Sequence, residues 1–509
     1  MRHDDQVGKV FLVGAGPGDP GLITLKGVDC IARADVVVYD YLAAPALLAH
    51  ARPDADMIYV GKKGGQHTLP QDGINTLIVE KAQQGSVVTR LKGGDPFIFG
   101  RGGEEVEVLV AAGIPFEIVP GVTAAIGASA YAGIPLTHRD YTSDVAFVTG
   151  HEDPTKVDSS IDWRALATGI GTLVFFMGVK NLSTIAANLT ANGRAPDTPV
   201  AVIRWGTTPK QKTVTGTLDT IVDETRRAGI KAPAIIIVGG VVSLRKTMQW
   251  FEKRPLMGRR IVVTRAREQA SELVSKLTEC GAECIQCPTI QVVAPSDGAP
   301  LDRAIEALDR YDWIVFTSVN GVDYFFRRLF ENGFDLRALG HVKTVSIGPA
   351  TADRLRNWGL NSDIVPSSYR AESVVEAFAA MPIAGKTVLL PRAKEARSVL
   401  PVELTRLGAA VEEVAAYETR QAKDGAVDLI ARLEAGSVDT VTFTSSSTVK
   451  NFHRLLPPDR VERLMEGITV ASIGPITSQT ARELGFSVSV EAEAYTIPGL
   501  VRAILKLQR

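Results

Sequence analysis

The sequence predicts an α/β fold throughout: a two-lobed α/β half of about 250 residues, then a half made of two similar α/β lobes. Three observations carry this. Strand-like runs alternate with helical patterns along the chain, among them DVVVYD, SVVTRLKGGD, GTLVFFMG, AIIIVGG and WIVFTS. Many end in Gly, Ser or Asp, as strands do when functional residues sit at the C-terminal edge of an open sheet. Val10 to Asp40 reads as a buried strand, a glycine-rich turn, a helix and a second strand. The second half repeats itself: VVTRA at 262–266 returns as LLPRA at 389–393, VFTSVNGV at 315–322 as TFTSSSTV at 442–449, and SIGPATADRLRNWG at 346–359 as SIGPITSQTARELG at 472–485. Offsets of 127, 127 and 126 residues mean duplicated lobes; a solenoid repeats every 20–50 residues or so.

Length and composition set the frame. A chain of 509 residues has room for roughly three domains of about 150 residues. A net charge of −1, with no run of five basic residues, gives no field for nucleic acid. No apolar run reaches the ~18 residues of a membrane span, and the polar start MRHDDQVGKV lacks a signal-peptide core, so a cytoplasmic protein is expected. Cys280, Cys284 and Cys287 form C-x3-C-x2-C. An odd separation on a strand points Cys284 and Cys287 to opposite faces, and no histidine is near to complete a ligand set, so no metal is expected.

The first turn, Gly16-Pro17-Gly18-Asp19-Pro20-Gly21, fits GxGxxG by spacing, and Asp40 stands where a ribose-binding acid would. A dinucleotide turn offers N–H groups to a pyrophosphate, and Pro17 and Pro20 have none. The turn therefore suits a nucleoside ligand without a phosphate bridge, such as S-adenosylmethionine, better than NAD. The next anchor runs from Arg90 to Glu105, RLKGGDPFIFGRGGEE. Its adjacent glycines permit close approach of a ligand, and Asp95 either accepts from ribose hydroxyls or closes a tight turn. The passage Met248 to Arg260 reads as a short charged linker. Beyond it, Thr317-Ser318 and Thr444-Ser445-Ser446 precede helices, and Gly348-Pro349 and Gly474-Pro475 place Pro near a first helical turn. Such helix N-termini bind anions, or are ordinary caps.

These residues also carry a resemblance. GAGPGDPGLITLKG, VVVYDYL, VGKKGG, RLKGGDPFIFGRGGEE, VPGVTAA, GIPLTHRDY, FVTGH, LVFFMG and WGTTPKQ follow in order across about 240 residues. Together they resemble uroporphyrinogen-III C-methyltransferase of the tetrapyrrole methylase superfamily. The resemblance implies a domain at 7–250, with lobes at about 7–120 and 121–250, holding S-adenosylmethionine between them. It implies cofactor contacts at Pro17, Gly93, Gly94, Asp95, Ile98, Thr123, Ala124, Met177 and Gly206, a proton acceptor at Asp40, a proton donor at Lys62, and a homodimer through this half. Arg90, Lys92, Arg101 and Arg139 are expected at the cleft mouth, facing a polycarboxylate substrate.

RIVVTRA, VFTSVNG, SIGPAT, LLPRA, AAYETR, FTSSSTV and SIGPITSQTA resemble uroporphyrinogen-III synthase over 258–509. That family interleaves its lobes, which implies about 258–290 plus 418–509 for one and about 291–417 for the other. Tyr417 matches a tyrosine that assists hydroxyl departure, and otherwise is a packing residue. Arg265, Ser318, Gly348, Arg392, Ser446, Gly474 and Thr477 are expected to contact substrate. The function implied is cyclisation of hydroxymethylbilane to uroporphyrinogen III, then two methyl transfers giving precorrin-2, with tetrapyrroles as the small-molecule partners and neither metal nor NAD. The alternative is another corrinoid methyltransferase fused to a non-catalytic tetrapyrrole-binding module.

Overall fold

The computed structural model describes residues 7–61, 69–150, 161–265, 267–287, 290–367, 371–396, 398–421 and 426–507. It divides into two compact units, Met1–Arg259 with Leu277–Glu283, and Arg260–Lys276 with Cys284–Leu507.

The first unit carries two five-stranded sheets. One comprises β1 (Val10–Gly14), β2 (Val36–Tyr39), β3 (Asp56–Tyr59), β4 (Val88–Lys92) and β5 (Phe116–Val119), in the order β3-β2-β4-β1-β5. All its pairings are parallel, which leaves the central strands covered on both faces. Hence β1, VFLVG, is buried at every position, and so is β4, VTRLK, despite its two cations. The other comprises β6 (Val145–Thr149), β7 (Thr172–Phe176), β8 (Pro199–Arg204), β9 (Lys212–Thr217) and β10 (Ala234–Val238), ordered β6-β7-β10-β8-β9 and mostly antiparallel. The helix Ala124–Ala132 packs its small residues against this second sheet.

The passage expected to be a linker is packed instead. Phe251 is 3% and Leu256 0% exposed, and the Trp250 indole N–H donates to the Ala130 carbonyl at 3.0 Å. Two apolar side chains outweigh the charged residues around them: burying each is worth about 1.5–3 kcal/mol.

The second unit carries β11 (Arg260–Val263), β12 (Glu283–Gln286), β13 (Ile290–Val293), β14 (Trp313–Phe316), β15 (Lys343–Ser346), β16 (Thr387–Ala393), β17 (Ala410–Gln421), β18 (Thr440–Phe443), β19 (Thr469–Ser472) and β20 (Val488–Glu491). They form two sheets, β12-β11-β18-β19-β20 and β13-β17-β16-β14-β15. The sequence repeat now has a physical meaning. Its three blocks are three neighbouring strands in each sheet, β11-β18-β19 and β16-β14-β15. Residues 418–421, expected in the first lobe, extend β17 and pair antiparallel with β13 in the second. One long strand thus joins β16 along its first part and β13 along its last.

Candidate functional site

In the first unit, loops leaving β1, β4 and β8 converge with the start of the helix Ala124–Ala132. Gly16 and Gly94 exchange backbone hydrogen bonds of 3.2 and 2.7 Å. Glycine is required where backbones touch: a Cβ on Gly14 would lie 2.5 Å from the Gly121 Cα, and one on Gly121 would lie 2.3 Å from the Gly94 oxygen. A Cβ on Gly94, at φ +70, would lie 3.7 Å from the Ala124 N and 3.8 Å from the Thr123 Cα. The Pro17 ring lies against Gly127, where a Cβ would come within 2.4 Å of it. A Cβ on Gly206 would lie 2.2 Å from that of Ala128. Asp19 completes the assembly: its N–H donates to Thr207 Oγ1 at 2.9 Å, and its carboxylate accepts from the Tyr131 hydroxyl at 2.7 Å. Pro17, Gly94, Thr123, Ala124 and Gly206 therefore meet at one place. Asp95 uses both carboxylate oxygens on backbone N–H groups, of Phe97 at 2.8 Å and Gly121 at 2.9 Å, so it closes its turn as the sequence allowed. The Phe99 ring packs on Phe176 at 4.9 Å, which brings the loop of Gly93 and Ile98 toward Met177, itself 53% exposed.

Strain marks the same loops. Among the described residues, the non-glycine residues with positive φ are Phe99, Arg101, Met177, Trp205 and Thr207, at +49° to +68°. Each costs on the order of 1–3 kcal/mol and persists only where its surroundings over-determine it, typically at a binding site. None lies in the second unit.

Asp40 follows β2, 22% exposed at its side chain, and pairs with Arg90 Nη2 at 3.3 Å. It also accepts from the Leu42 N–H at 3.0 Å. Lys62 lies outside the described residues. Arg90 and Lys92, expected at the cleft mouth, are buried instead. Lys92 Nζ donates to Glu105 Oε1 at 2.6 Å and Arg90 Nε to the same oxygen at 3.3 Å, with side-chain exposures of 6, 4 and 1%. Two cations on a strand covered on both faces need a buried anion, and Glu105 from the next helix supplies it. Burial, with Arg90 beside it, holds the Lys92 pKa below the usual lysine value, and Glu105 opposes the shift. Arg101 is exposed and paired to Glu104 through two hydrogen bonds of 2.9 and 2.6 Å; Arg139 is exposed.

In the second unit the repeat places four helix N-termini at the C-terminal ends of parallel strands. Their caps are Ser318 for Val319–Glu331, Gly348 for Pro349–Asn357, Ser445 for Ser446–Leu455 and Gly474 for Pro475–Glu483. The 127-residue offset makes Ser445 the counterpart of Ser318; Ser446, expected to contact substrate, is the residue after it. Ser446 instead donates to the Ile476 carbonyl at 3.3 Å and accepts from Thr480 at 2.9 Å. Thr477 lies in the first turn of the helix Pro475–Glu483 and is 5% exposed. Tyr417, 9% exposed, shares a hydrogen bond of 3.0 Å with Ser318 Oγ. It stands at an irregularity where the partners of β16 step from Ala415, opposite Arg392, to Tyr417, opposite Ala393. Burial raises its pKa, against the Ser318 hydrogen bond. Arg392, expected to contact substrate, is 4% exposed, with Nη1 3.8 Å from Glu413. Arg265, two residues beyond β11, is half-buried, its pKa lowered by burial. Cys287 is buried and its thiol pushed up to about 11.

Comparison with known proteins agrees with this division. Residues 9–222 match the Tetrapyrrole (Corrin/Porphyrin) Methylases, and residues 271–502 match Uroporphyrinogen-III synthase HemD. A porphyrin biosynthesis protein HemD of Ruminiclostridium josui is 38% identical over 100% of this chain and 99% of its own length. A uroporphyrinogen-III C-methyltransferase of Priestia megaterium is 56% identical over 47% of this chain and 99% of its own. The crystal structure of uroporphyrin III C-methyl transferase from Thermus thermophilus is 39% identical over 47% of this chain and 94% of its own, with a TM-score of 0.40. The chain belongs to the family of tetrapyrrole-biosynthesis enzymes in which a uroporphyrinogen-III C-methyltransferase unit is fused to a uroporphyrinogen-III synthase unit.

Proposed function

We propose that the first unit transfers two methyl groups from S-adenosylmethionine to uroporphyrinogen III, giving precorrin-2, and that the second forms uroporphyrinogen III from hydroxymethylbilane. One observation carries the donor reading: the convergence of Pro17, Gly94, Thr123, Ala124 and Gly206 on loops strained at Met177, Trp205 and Thr207. The residues fit such a donor. Two prolines remove N–H groups that a pyrophosphate would need, and packed glycines leave backbone surface open to a nucleoside. Bound there, S-adenosylmethionine supplies an electrophilic methyl group.

The chain's own part is to position. An electron-rich pyrrole carbon is already a nucleophile, so holding it in line with the methyl can supply ~7–11 kcal/mol of the barrier. Asp40, held by Arg90 and partly open to solvent, accepts the proton released from the ring. Lys62 acts as the donor. In the second unit, Tyr417 assists departure of the hydroxyl, and ring D then attacks the resulting azafulvene-like cation with inversion. The N-termini capped by Ser318, Gly348, Ser445 and Gly474 bind substrate carboxylates through first-turn N–H groups.

Domain limits of 7–250 and 258–509, a homodimer through the first unit, a cytoplasmic setting and independence of metal and NAD belong to the same reading. No helix among the described residues is long and apolar enough to cross a membrane. Separate assays test the proposal. Purified chain should methylate uroporphyrinogen III with no metal or nicotinamide added, and should convert hydroxymethylbilane without the type I isomer building up. Loss of methylation on chelation, or accumulation of that isomer, would refute the corresponding half.

A further inference from the structure

We propose that Glu252 is a positioning residue for the donor site, acting through Gln211 on the strained loop Trp205–Gly206–Thr207; this rests on the donor reading above. The methylase match ends at residue 222, so nothing in it accounts for Glu252. Trp205 and Thr207 hold φ of +49° and +68° on either side of Gly206, and something must fix them. Thr207 is 2% exposed, and its N–H donates to Gln211 Oε1 at 2.8 Å. That bond sets the orientation of the Gln211 amide only if its other end is also held. Gln211 Nε2 donates to Glu252 Oε1 at 2.8 Å. The Thr213 hydroxyl donates to the same oxygen, and Arg245 Nη2 to the other.

Arg245 also donates to the Ala132 carbonyl, at the end of the helix that carries Ala124, Gly127 and Ala128. One carboxylate therefore ties the loop to β9 and, through Arg245, to the helix, and that loop and helix meet at Pro17 and Gly206. Its own place is fixed by its neighbours: Phe251 packs on Tyr131 at 4.7 Å, and Tyr131 holds Asp19. Without the carboxylate, the Gln211 amide is free to turn, and Thr207 loses the acceptor that keeps it left-handed.

Calorimetric titration of the full-length chain with S-adenosylhomocysteine tests this, together with methylation kinetics at varied S-adenosylmethionine. Glu252→Ala should weaken S-adenosylhomocysteine binding by about tenfold, the usual worth of one hydrogen bond to a charged group. The KM for S-adenosylmethionine should rise in step, with kcat changed by less than about twofold. Glu252→Gln keeps an oxygen for Gln211 and Thr213 and should recover most of the affinity. Cyclisation by the second unit serves as an internal control for an intact protein. Should Glu252→Ala fail to fold, Gln211→Ala breaks the same chain and should show the same loss. Wild-type affinity in a folded Glu252→Ala or Gln211→Ala chain, or a Glu252→Gln chain as weak as Glu252→Ala, overturns the proposal. If the unaltered chain does not bind S-adenosylhomocysteine, the donor reading itself falls and this inference with it.

Discussion

Glu105 should be among the most sensitive positions in the first unit. It is the buried anion for Arg90 and Lys92, with contacts of 3.3 and 2.6 Å and side-chain exposures at or below 6% for all three. Removing one partner of such a group leaves uncompensated charge in the interior, which costs about 3–5 kcal/mol. Glu105→Gln keeps one oxygen as a neutral acceptor, so the lower end, about 3 kcal/mol, applies. At roughly 2–4 °C per kcal/mol for a domain of this size, the first unit should melt roughly 6–12 °C lower in calorimetry of the full chain. The pH dependence has a definite sign. Burial and Arg90 already depress the Lys92 pKa, and Glu105 resists them; without Glu105 the value falls further. A lysine whose folded pKa lies below its unfolded one binds fewer protons when folded across that interval, so stability rises with pH through it. The deficit should therefore shrink as pH is raised toward about 10, the unfolded lysine value. A variant melting within about 2 °C of wild type at neutral pH, or a deficit that grows on raising the pH, would refute the buried-network account.

Other changes separate the two sites. Gly206→Ala puts a Cβ 2.2 Å from that of Ala128; overpacking of about 1–3 kcal/mol should push the loop off the donor and weaken S-adenosylhomocysteine by about tenfold in calorimetry, leaving cyclisation unchanged. Asp40→Asn should lower methylation kcat by roughly 10²–10⁴, while donor affinity by the same titration stays near wild type. Tyr417→Phe should slow hydroxymethylbilane consumption by tenfold or more, yet shift stability by only about 1 kcal/mol, because Ser318 still caps the Gly321 N–H at 3.0 Å. Ser318→Ala should also cost about 1 kcal/mol in a melt, in this case through loss of that cap.

Much of the architecture is legible in the sequence because it rests on local signals. The strand, glycine turn and helix after Val10 are dictated by burial period and by residues that tolerate a tight backbone. The repeat in the second half foretells which three strands neighbour each other in each sheet. What escapes is pairing across the chain. Arg90 and Lys92 read as surface cations until Glu105, on the following helix, is seen to meet them. Tyr131 and Glu252 carry no motif, and WGTTPKQ contains Thr207 without showing what it bonds; their roles arise where Asp19 and Gln211 bring distant segments together. The charges around 248–257 suggest a linker, whereas Phe251 and Leu256 decide its packing. Ser445 was within reach, since the offset from Ser318 points to it rather than to Ser446.

The central claim is that one chain both closes a linear tetrapyrrole and methylates the product. Incubating the purified chain with hydroxymethylbilane as the sole tetrapyrrole and methyl-labelled S-adenosylmethionine tests it most directly. The account predicts a type III macrocycle carrying two labelled methyl groups, lost with Asp40→Asn while uroporphyrinogen III still forms. An unlabelled product, or label that enters only when uroporphyrinogen III is supplied ready-made, would contradict it.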